Sequence, residues 1–315
     1  MKVSVSIITY NQEKYIAKAI ESVLMQEVDF DYEIIIGDDC STDGTQAIIE
    51  KYRQQYPELI RFIAHKERYS GVPGRLNLIT NIQAAKGEYV ALLDGDDYWL
   101  DKHKLQQQVT FLDENPDYVM CFHDAIVESD ENNLKPFLYS KQLRLSPGMV
   151  VEHNELVSRC LIPASSTVYR RSVLSEIPEW FWEVYSGTWI LQMLISKKGR
   201  VKYFHDLKYR YTVNKGSISH RDKLSLDVNR IKIRQTKTLQ KHFPEVPGSV
   251  FRHKLAALYF RRAIFASHRK DFLRVLLYLL KSALINRKAF MIMLKKYGSR
   301  VNGRTGGAIE NGAQE

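Results

Sequence analysis

The amino-acid sequence predicts an α/β fold in which a mostly parallel sheet is flanked by helices and is followed by a basic helical subdomain. Three observations lead to this prediction. Apolar runs alternate with helical patterns over the first hundred residues, acidic residues follow the predicted strands, and the sign of the net charge changes along the chain. With 315 residues, of which 44% are hydrophobic, the chain can bury a full core.

The first part of the chain shows a regular alternation of strand and helix patterns. Short apolar runs predict strands at Lys2–Thr9, Tyr32–Gly37, Leu59–Ala64 and Tyr89–Leu93. Apolar residues at helical spacing predict helices around Ile16–Leu24, Ala47–Tyr52 and Asn77–Ala85. This alternation is typical of an open parallel sheet that is covered by helices on both faces.

The rest of the chain is first mixed and then helical. Strands are expected at Tyr118–Glu128, Ser165–Tyr169, Val201–Phe204 and Tyr209–Val213, with a helix at Trp189–Lys197. Further helices are expected at Leu224–Phe243, Val250–His268, Phe272–Leu284 and Lys288–Tyr297. The tail, residues 301–315, has no apolar face and is predicted to be disordered.

The charge is divided unevenly between the two parts. Residues 1–196 contain 18 Lys and Arg against 29 Asp and Glu, whereas residues 197–304 contain 28 against 5. A basic region of this kind suits nucleic acid, anionic lipid or a phosphate-bearing substrate. The three cysteines have no paired spacing and the N-terminus does not read as a signal peptide, which together favour a cytoplasmic protein.

The basic C-terminal helices alternate cations with apolar residues. Their longest uncharged run, Val275–Leu280, is far shorter than the roughly 20 residues that span a bilayer. We therefore expect no membrane crossing but a peripheral association with an anionic membrane surface, at the inner face of the cell membrane. The alternative is a helical subdomain whose basic face is merely solvated.

Polar and acidic residues follow three of the predicted strands. These strand ends are Thr9–Asn11, Asp38–Asp39 and Asp94–Asp97, and parallel α/β sheets bind ligands where such ends converge. Crowded carboxylates repel each other, so Asp94, Asp96 and Asp97 suggest a site for Mg²⁺ or Mn²⁺, which prefer oxygen ligands and substrate phosphates. The alternative is a solvated turn.

Three runs of residues together resemble one enzyme family. They are Val3–Ile16, Ile34–Thr45 and Ala85–Asp97, in that order and spacing. They are similar to the signatures of the family 2 glycosyltransferases, inverting enzymes with the Rossmann-like GT-A fold. The resemblance implies that Thr9, Tyr10 and Asn11 line the nucleotide pocket. It also implies that Asp39, with Asp38 beside it, accepts a hydrogen bond from uracil or a related base, or that Asp38 is the main contact.

The same resemblance assigns the diphosphate side of the site. Asp94 and Asp96 would face the ribose and diphosphate, and Asp96 or Asp97, with Asp94 nearby, would hold Mn²⁺ or Mg²⁺. Arg75 lies in the region where such enzymes place a basic nucleotide contact, although an exposed surface arginine is an equal alternative.

One departure from the family pattern concerns the general base. The family places an Asp in the segment that matches Tyr185–Leu191, but this sequence has Thr188 there. A threonine hydroxyl is no base near neutral pH. Either Glu183 takes the role, the protein is naturally impaired, the sequence was altered to trap a complex, or the match shifts locally. The segment Tyr209–Asn214 also departs from the family pattern.

The predicted organisation is a glycosyltransferase domain, a basic subdomain and a tail. Residues 1–218 form the first, divided into a nucleotide-binding part, 1–100, and an acceptor-binding part, 101–218. Residues 219–300 form the helical subdomain and 301–315 the disordered tail.

The predicted function is inverting transfer of a sugar from a nucleoside-diphosphate sugar, foremost a UDP-sugar. The acceptor would be a hydroxyl of a lipid-linked or growing glycan in cell-surface polysaccharide synthesis. The alternatives are a sugar-nucleotide-binding variant impaired by Thr188, or a basic nucleic-acid-binding protein. The absence of a nucleic-acid-binding motif and the acidic character of residues 1–196 argue against nucleic acid.

Overall fold

The structure is a computed structural model that describes residues 1–67, 74–128, 137–138, 145–213 and 226–303. Its contacts divide the chain into two compact units, Met1–Arg221 and Asp222–Glu315. The predicted boundary between residues 218 and 219 falls outside the described residues.

The first half of unit 1 repeats strand and helix in order. Its elements are β1 (Val3–Thr9), α1 (Ile16–Leu24), β2 (Tyr32–Asp38), α2 (Thr45–Gln55), β3 (Ile60–Ala64), α3 (Arg75–Ala84) and β4 (Tyr89–Asp94). Strand β1 pairs in parallel with β2 and with β4, and β2 pairs in parallel with β3. The predicted parallel α/β arrangement is therefore confirmed.

The second half of unit 1 extends the same sheet. Its elements are β5 (Tyr98–Trp99), α4 (Lys104–Glu114), β6 (Tyr118–Glu128), β7 (Phe137–Leu138), β8 (Val150–Val151), α5 (His153–Ser158), β9 (Val168–Arg170), α6 (Gly187–Ser196) and β10 (Arg200–Thr212). Short 3₁₀ helices occur at Ala164–Ser166, Arg171–Val173 and Glu179–Glu183. The strand order is β3-β2-β1-β4-β9-β6-β10-β5, with β7 on β6 and β8 on β10. The long pairings are parallel, and the antiparallel ones span two or three residues each.

The sequence did not predict the short elements β5, β7, β8 and α5, and three longer segments also differ from the prediction. The two strands expected at Val201–Phe204 and Tyr209–Val213 form one continuous strand, β10, whose register on β6 shifts between Phe204 and Lys208. The strand expected at Ser165–Tyr169 is a 3₁₀ turn followed by β9. Helix α4 escaped prediction because its buried face contains the polar residues Lys104 and Gln108, which interrupt the apolar pattern.

The core of unit 1 surrounds the central strand. Every residue from Val3 to Ile7 is buried, as expected for a strand covered on both faces. Residues of α1 pack against it, among them Ile16 and Ile20. Because β2 and β4 flank β1, Thr9 at the end of β1 lies between two neighbouring strands and not at the margin of the sheet.

Unit 2 consists of helices in the part of the chain that is described. They are α7 (Leu226–His242), α8 (Gly248–His268), α9 (Phe272–Ile285) and α10 (Arg287–Gly303). Helix α10 ends at Gly303, and residues 304–315 of the predicted tail lie outside the described ranges. Within the described ranges, no helix has both the length and the apolar composition needed to cross a bilayer.

Lys104 is a buried lysine at the start of α4 and gives a test of the fold. Its side chain is 0% exposed, its Nζ lies 3.6 Å from the centroid of the Trp99 ring, and Nζ has no hydrogen-bond partner among the described residues. Burial disfavours the charged amine and places the pKa of Lys104 well below its usual range.

We predict that Lys104→Met removes a pH-dependent part of the stability. Because the pKa of Lys104 is lowered in the folded state, the unfolded chain binds more protons at this residue than the folded chain does. The contribution of Lys104 to the wild-type free energy of unfolding therefore rises from pH 7 to pH 9. This residue contributes up to about 1.4 kcal/mol per pH unit. Urea denaturation at both pH values should show a smaller rise for Lys104→Met. The control is Lys102→Met at an exposed ion pair with Glu27, and an equal rise in both variants would contradict the prediction.

Candidate functional site

Three strand ends meet at one edge of the sheet in unit 1. Thr9, the last residue of β1, pairs with Asp38 at the end of β2, and Ile8 pairs with Asp94 at the end of β4. The parallel registers therefore carry Thr9–Asn11, Asp38–Asp39 and Asp94–Asp97 to neighbouring positions. This is the edge at which parallel α/β sheets hold their ligands.

The loop after β1 is fastened to the loop after β2. Asn11 has a left-handed backbone, with φ of 51°, which asparagine tolerates better than most residues. Its Oδ1 accepts a hydrogen bond from Thr42 N at 2.8 Å, and its own N–H donates to Ser41 Oγ at 2.8 Å. Thr9 is buried and donates from Oγ1 to Gln12 Oε1 at 2.8 Å. Tyr10 lies between them and is half-buried.

Asp38 and Asp39 have different surroundings although they are adjacent. Both are buried. Asp38 closes its own turn, because its carboxylate accepts hydrogen bonds from Ser41 N and Oγ and, at 2.6 Å, from Gln46 Nε2. Asp39 donates its N–H to Thr9 O at 3.0 Å and accepts from Gly74 N at 3.4 Å. The backbone of Asp39 is thus held at the end of β1, and its carboxylate lies at the start of α3.

The three carboxylates after β4 are not equivalent. Asp94 and Asp96 are partly exposed, while Asp97 is 1% exposed. Asp97 Oδ2 accepts from Ser165 Oγ at 2.6 Å, and Asp97 Oδ1 accepts from Thr212 N at 2.9 Å. Asp97 therefore ties the loop after β4 to the second half of the sheet.

Burial and mutual repulsion perturb these carboxyl groups. Burial raises the pKa of Asp94 to about 7, and repulsion by Asp96 contributes. The pKa of Asp97 is raised well above its usual range, mainly by burial and further by repulsion from Asp96 and Asp94. The two hydrogen bonds that Asp97 accepts lower its pKa by less than these effects raise it. A cation beside Asp94 and Asp96 would relieve this repulsion.

The carboxylates after β4 suit a hard cation only if a bound substrate supplies further oxygen ligands. Within the described residues, no group of three or more His, Cys, Asp or Glu side chains is arranged to hold a metal. Asp94 and Asp96 nevertheless offer carboxylate oxygens, and Mg²⁺ often binds through one or two carboxylates with waters and substrate phosphates. The residues present therefore fit a cation that arrives with a phosphate-bearing substrate.

Gly95 allows two of the loops to touch. A Cβ at this position would lie 2.5 Å from Gln12 Oε1 and 3.0 Å from Thr9 Oγ1. Only a residue without a side chain lets the backbone between Asp94 and Asp96 approach the end of β1 so closely. Gln12 is a site residue that the sequence motifs did not single out.

Arg75 is buried, so the alternative of an exposed surface arginine is wrong. The residue is 1% exposed and begins α3. Its Nη1 donates to the Trp182 carbonyl oxygen at 2.6 Å, and its guanidinium lies 5.5 Å from the centroid of the Phe181 ring. Arg75 thereby fastens the 3₁₀ helix Glu179–Glu183 to α3.

The two candidate acceptor-side residues lie on segments that pack around α3. Thr188 is the second residue of α6 and is half-buried, whereas Glu183 is exposed at the end of its 3₁₀ helix. A Cβ on Gly187 would lie 3.7 Å from Leu78 and 4.0 Å from Arg75 Cγ. The start of α6 therefore packs beside the start of α3.

Ser165 is a further residue that the sequence did not point to. Its Oγ accepts from Asp94 N at 3.0 Å and donates to Asp97 Oδ2, although it lies 68 residues from Asp97 along the chain. No local spacing relates it to the aspartates, so only tertiary structure could reveal the contact.

Comparison with known proteins relates the chain to one family. The profile of glycosyl transferase family 2 matches residues 4–177, more than half of the chain. An uncharacterized protein of Mycobacterium tuberculosis is 37% identical over 172 residues, which are 53% of this chain and 46% of that protein. The Staphylococcus aureus poly(ribitol-phosphate) beta-N-acetylglucosaminyltransferase TarS is 39% identical over 116 residues, 36% of this chain. The match thus spans less than half of the mycobacterial relative and 19% of TarS.

Solved structures share the fold at low identity. Residues 1–349 of S. aureus TarS, crystallised with UDP-GlcNAc, align with a TM-score of 0.59 and 20% identity over 90% of this chain and 91% of that one. A Pyrobaculum calidifontis mannosyltransferase in complex with GDP-Man and Mn²⁺ aligns with a TM-score of 0.53 and 17% identity, over 95% and 79%. These neighbours confirm the predicted GT-A architecture. By its sequence profile and its fold, the chain belongs to glycosyl transferase family 2.

Proposed function

We propose that this chain is an inverting glycosyltransferase that uses a nucleoside-diphosphate sugar, with UDP as the nucleotide. The acceptor is a hydroxyl of a lipid-linked or growing glycan in cell-surface polysaccharide synthesis. The observation that supports this most directly is the meeting of Asp39, Asp94 and Asp96 around the end of β1 in a member of the family. The relative TarS is a poly(ribitol-phosphate) beta-N-acetylglucosaminyltransferase, and its structure contains UDP-GlcNAc.

The loops after β1 and β2 form the nucleotide side of this proposed site. Ser41 and Gln46 hold the Asp38 carboxylate with three hydrogen bonds, and we assign the acceptor for an N–H of the base to Asp39. Thr9, Tyr10 and Asn11 line the pocket beside it. Hydrogen bonds to Ser41 and Thr42 hold their loop in place, which lowers the entropic cost of binding.

Asp94 and Asp96 form the diphosphate side. They would hold Mn²⁺ or Mg²⁺ together with the donor phosphates, and the cation would stabilise the nucleoside diphosphate as it leaves. Asp97 has a different role in this proposal, since Ser165 and Thr212 already bind both of its oxygens. Asp97 positions the loop that carries the other two carboxylates.

Acceptor activation requires a carboxylate. In a single displacement, the acceptor oxygen forms a bond to the anomeric carbon, its proton passes to a base, and the bond to the diphosphate breaks with inversion. Thr188 cannot accept this proton, and we assign the role to Glu183. Its exposed position at the end of a segment held by Arg75 supports this choice. A naturally impaired protein is the second candidate, and Thr188 is the observation that favours it.

We predict that Asp96→Asn weakens metal-dependent nucleotide binding. The variant keeps the shape of the side chain but removes one of the two charges that attract the cation, so UDP should bind at least about tenfold more weakly in the presence of Mn²⁺. Isothermal titration of UDP with and without Mn²⁺ measures this. Asp117→Asn is the control, because Asp117 is an exposed partner of Arg200. Equal affinities for wild type and Asp96→Asn, or no effect of metal on either, would contradict the assignment.

We predict that Glu183→Gln lowers kcat for transfer by about 10²–10⁴-fold, the usual contribution of a positioned base. UDP affinity should stay unchanged because donor binding does not use this residue. Glu179→Gln, on the same 3₁₀ helix and also exposed, is the matched control. If the wild-type protein binds UDP without transferring sugar and Thr188→Asp makes it active, the impaired-protein alternative is correct and Glu183 is not the base.

A further inference from the structure

Helix α9 presents an apolar face that none of the described residues of unit 2 covers. Six of its residues are large, apolar and exposed, and Leu273 and Leu284 reach 84% and 85% exposure. The others are Phe272, Leu276, Leu277 and Leu280. We call these six side chains the leucine face. Exposed apolar residues scattered singly are ordinary, but a contiguous set of this size marks an interaction surface.

The leucine face is separate from the side of α9 that packs. At about 100° per residue, its six members fall within an arc of about 140°. The opposite side is held on α8, where Ser282 Oγ donates to Ala256 O at 2.8 Å and the Tyr278 ring stacks on Tyr259 with centroids 6.4 Å apart. Since this packing already attaches α9 to unit 2, the leucine face is not needed for the contact with α8.

Helix α10 continues the apolar surface and adds cations to it. Met291, Ile292, Leu294 and Tyr297 are 41–46% exposed. An open groove of about 510 Å³ on this helix is lined by Arg287, Lys288 and Lys295 together with Met291 and Ile292. An anionic lipid has a charged headgroup phosphate and an apolar acyl chain. A groove that places cations next to apolar side chains has a matching contact for each part.

The charge of this region identifies the kind of partner. Residues 272–303 contain seven Lys and Arg and no Asp or Glu. Two copies of such a face would bring like charges together, which opposes self-association. An anionic bilayer surface instead attracts the cations while its acyl region accepts the apolar side chains.

We propose that α9 and α10 form a docking surface for an anionic phospholipid bilayer. The leucine face enters the boundary between headgroups and acyl chains, and Arg287, Lys288 and Lys295 bind lipid phosphates. This goes beyond a solvated basic face, because apolar insertion and not charge alone holds the chain on the membrane. Docking does not require the transfer reaction, so it is measured without any sugar donor.

Vesicle flotation of the full chain tests the proposal. Wild-type protein should float with vesicles of equimolar phosphatidylcholine and phosphatidylglycerol, and much less with phosphatidylcholine alone. The double variant Leu273→Ser with Leu284→Ser should lower the bound fraction by about tenfold or more at equal lipid. The matched control is Met25→Ser with Leu100→Ser, which removes two exposed apolar side chains of unit 1 and should bind like wild type.

A second pair of variants tests the cations. Lys288→Glu with Lys295→Glu should also abolish binding to the anionic vesicles. The control is Lys14→Glu with Lys51→Glu, at two exposed residues of unit 1. This control makes the same change in net charge and should bind the vesicles more strongly than the first pair. If the serine variant does not fold, as judged by circular dichroism, Leu273→Ala with Leu284→Ala takes its place, because alanine removes most of the apolar surface and favours the helix; it should lower the bound fraction as well.

Two results would overturn the proposal. One is unchanged vesicle binding by the serine variant, which would leave charge alone as the cause. The other is a wild-type chain that ignores vesicles but is dimeric in light scattering, with a monomeric serine variant, which would make the face a contact between copies. Titration of UDP, performed on the same samples, separates a failure of membrane docking from a failure of the proposed donor site.

Discussion

The parallel pairing of β1 with β2 and β4 is the constraint on which the candidate site depends. Because both neighbours run in the same direction and in a fixed register, Thr9, Asp38 and Asp94 end at one level. A shift of one residue would turn every side chain to the other face of the sheet. Val3, Val5 and Ile7 pack in the apolar core on one face, and the buried hydroxyls of Ser4 and Ser6 have hydrogen-bond partners on the other. A shift would exchange the two sets and leave the hydroxyls without these partners.

The acidic groups at this edge repel one another, and their neighbours compensate this repulsion more for some carboxylates than for others. Asp38 and Asp97 are buried and accept hydrogen bonds from neighbouring residues. Asp94 and Asp96 are left partly open to solvent, with the pKa of Asp94 raised by burial and by its neighbour. The carboxylates thus separate into two that organise loops and two that remain able to meet a cation and a diphosphate.

The two units solve different physical problems. Unit 1 buries its apolar residues around a sheet and collects acidic side chains at one edge. Unit 2 uses only part of its apolar residues in packing and leaves the leucine face of α9 exposed among cations. Composition alone revealed the change in charge between the two parts. Which leucines of α9 are exposed depends on how this helix packs on α8, and composition does not contain that information.

The sequence by itself determined the order of strands and helices in the first hundred residues, because apolar periodicity and turn residues act over a few neighbouring positions. It also placed the acidic residues at strand ends. Only tertiary structure decided that Arg75 is buried and donates to the Trp182 carbonyl, that Ser165 donates to Asp97, and that Lys104 is buried at the start of α4. Those outcomes depend on contacts between residues far apart in the chain, and no local pattern of residue types encodes which distant groups will meet.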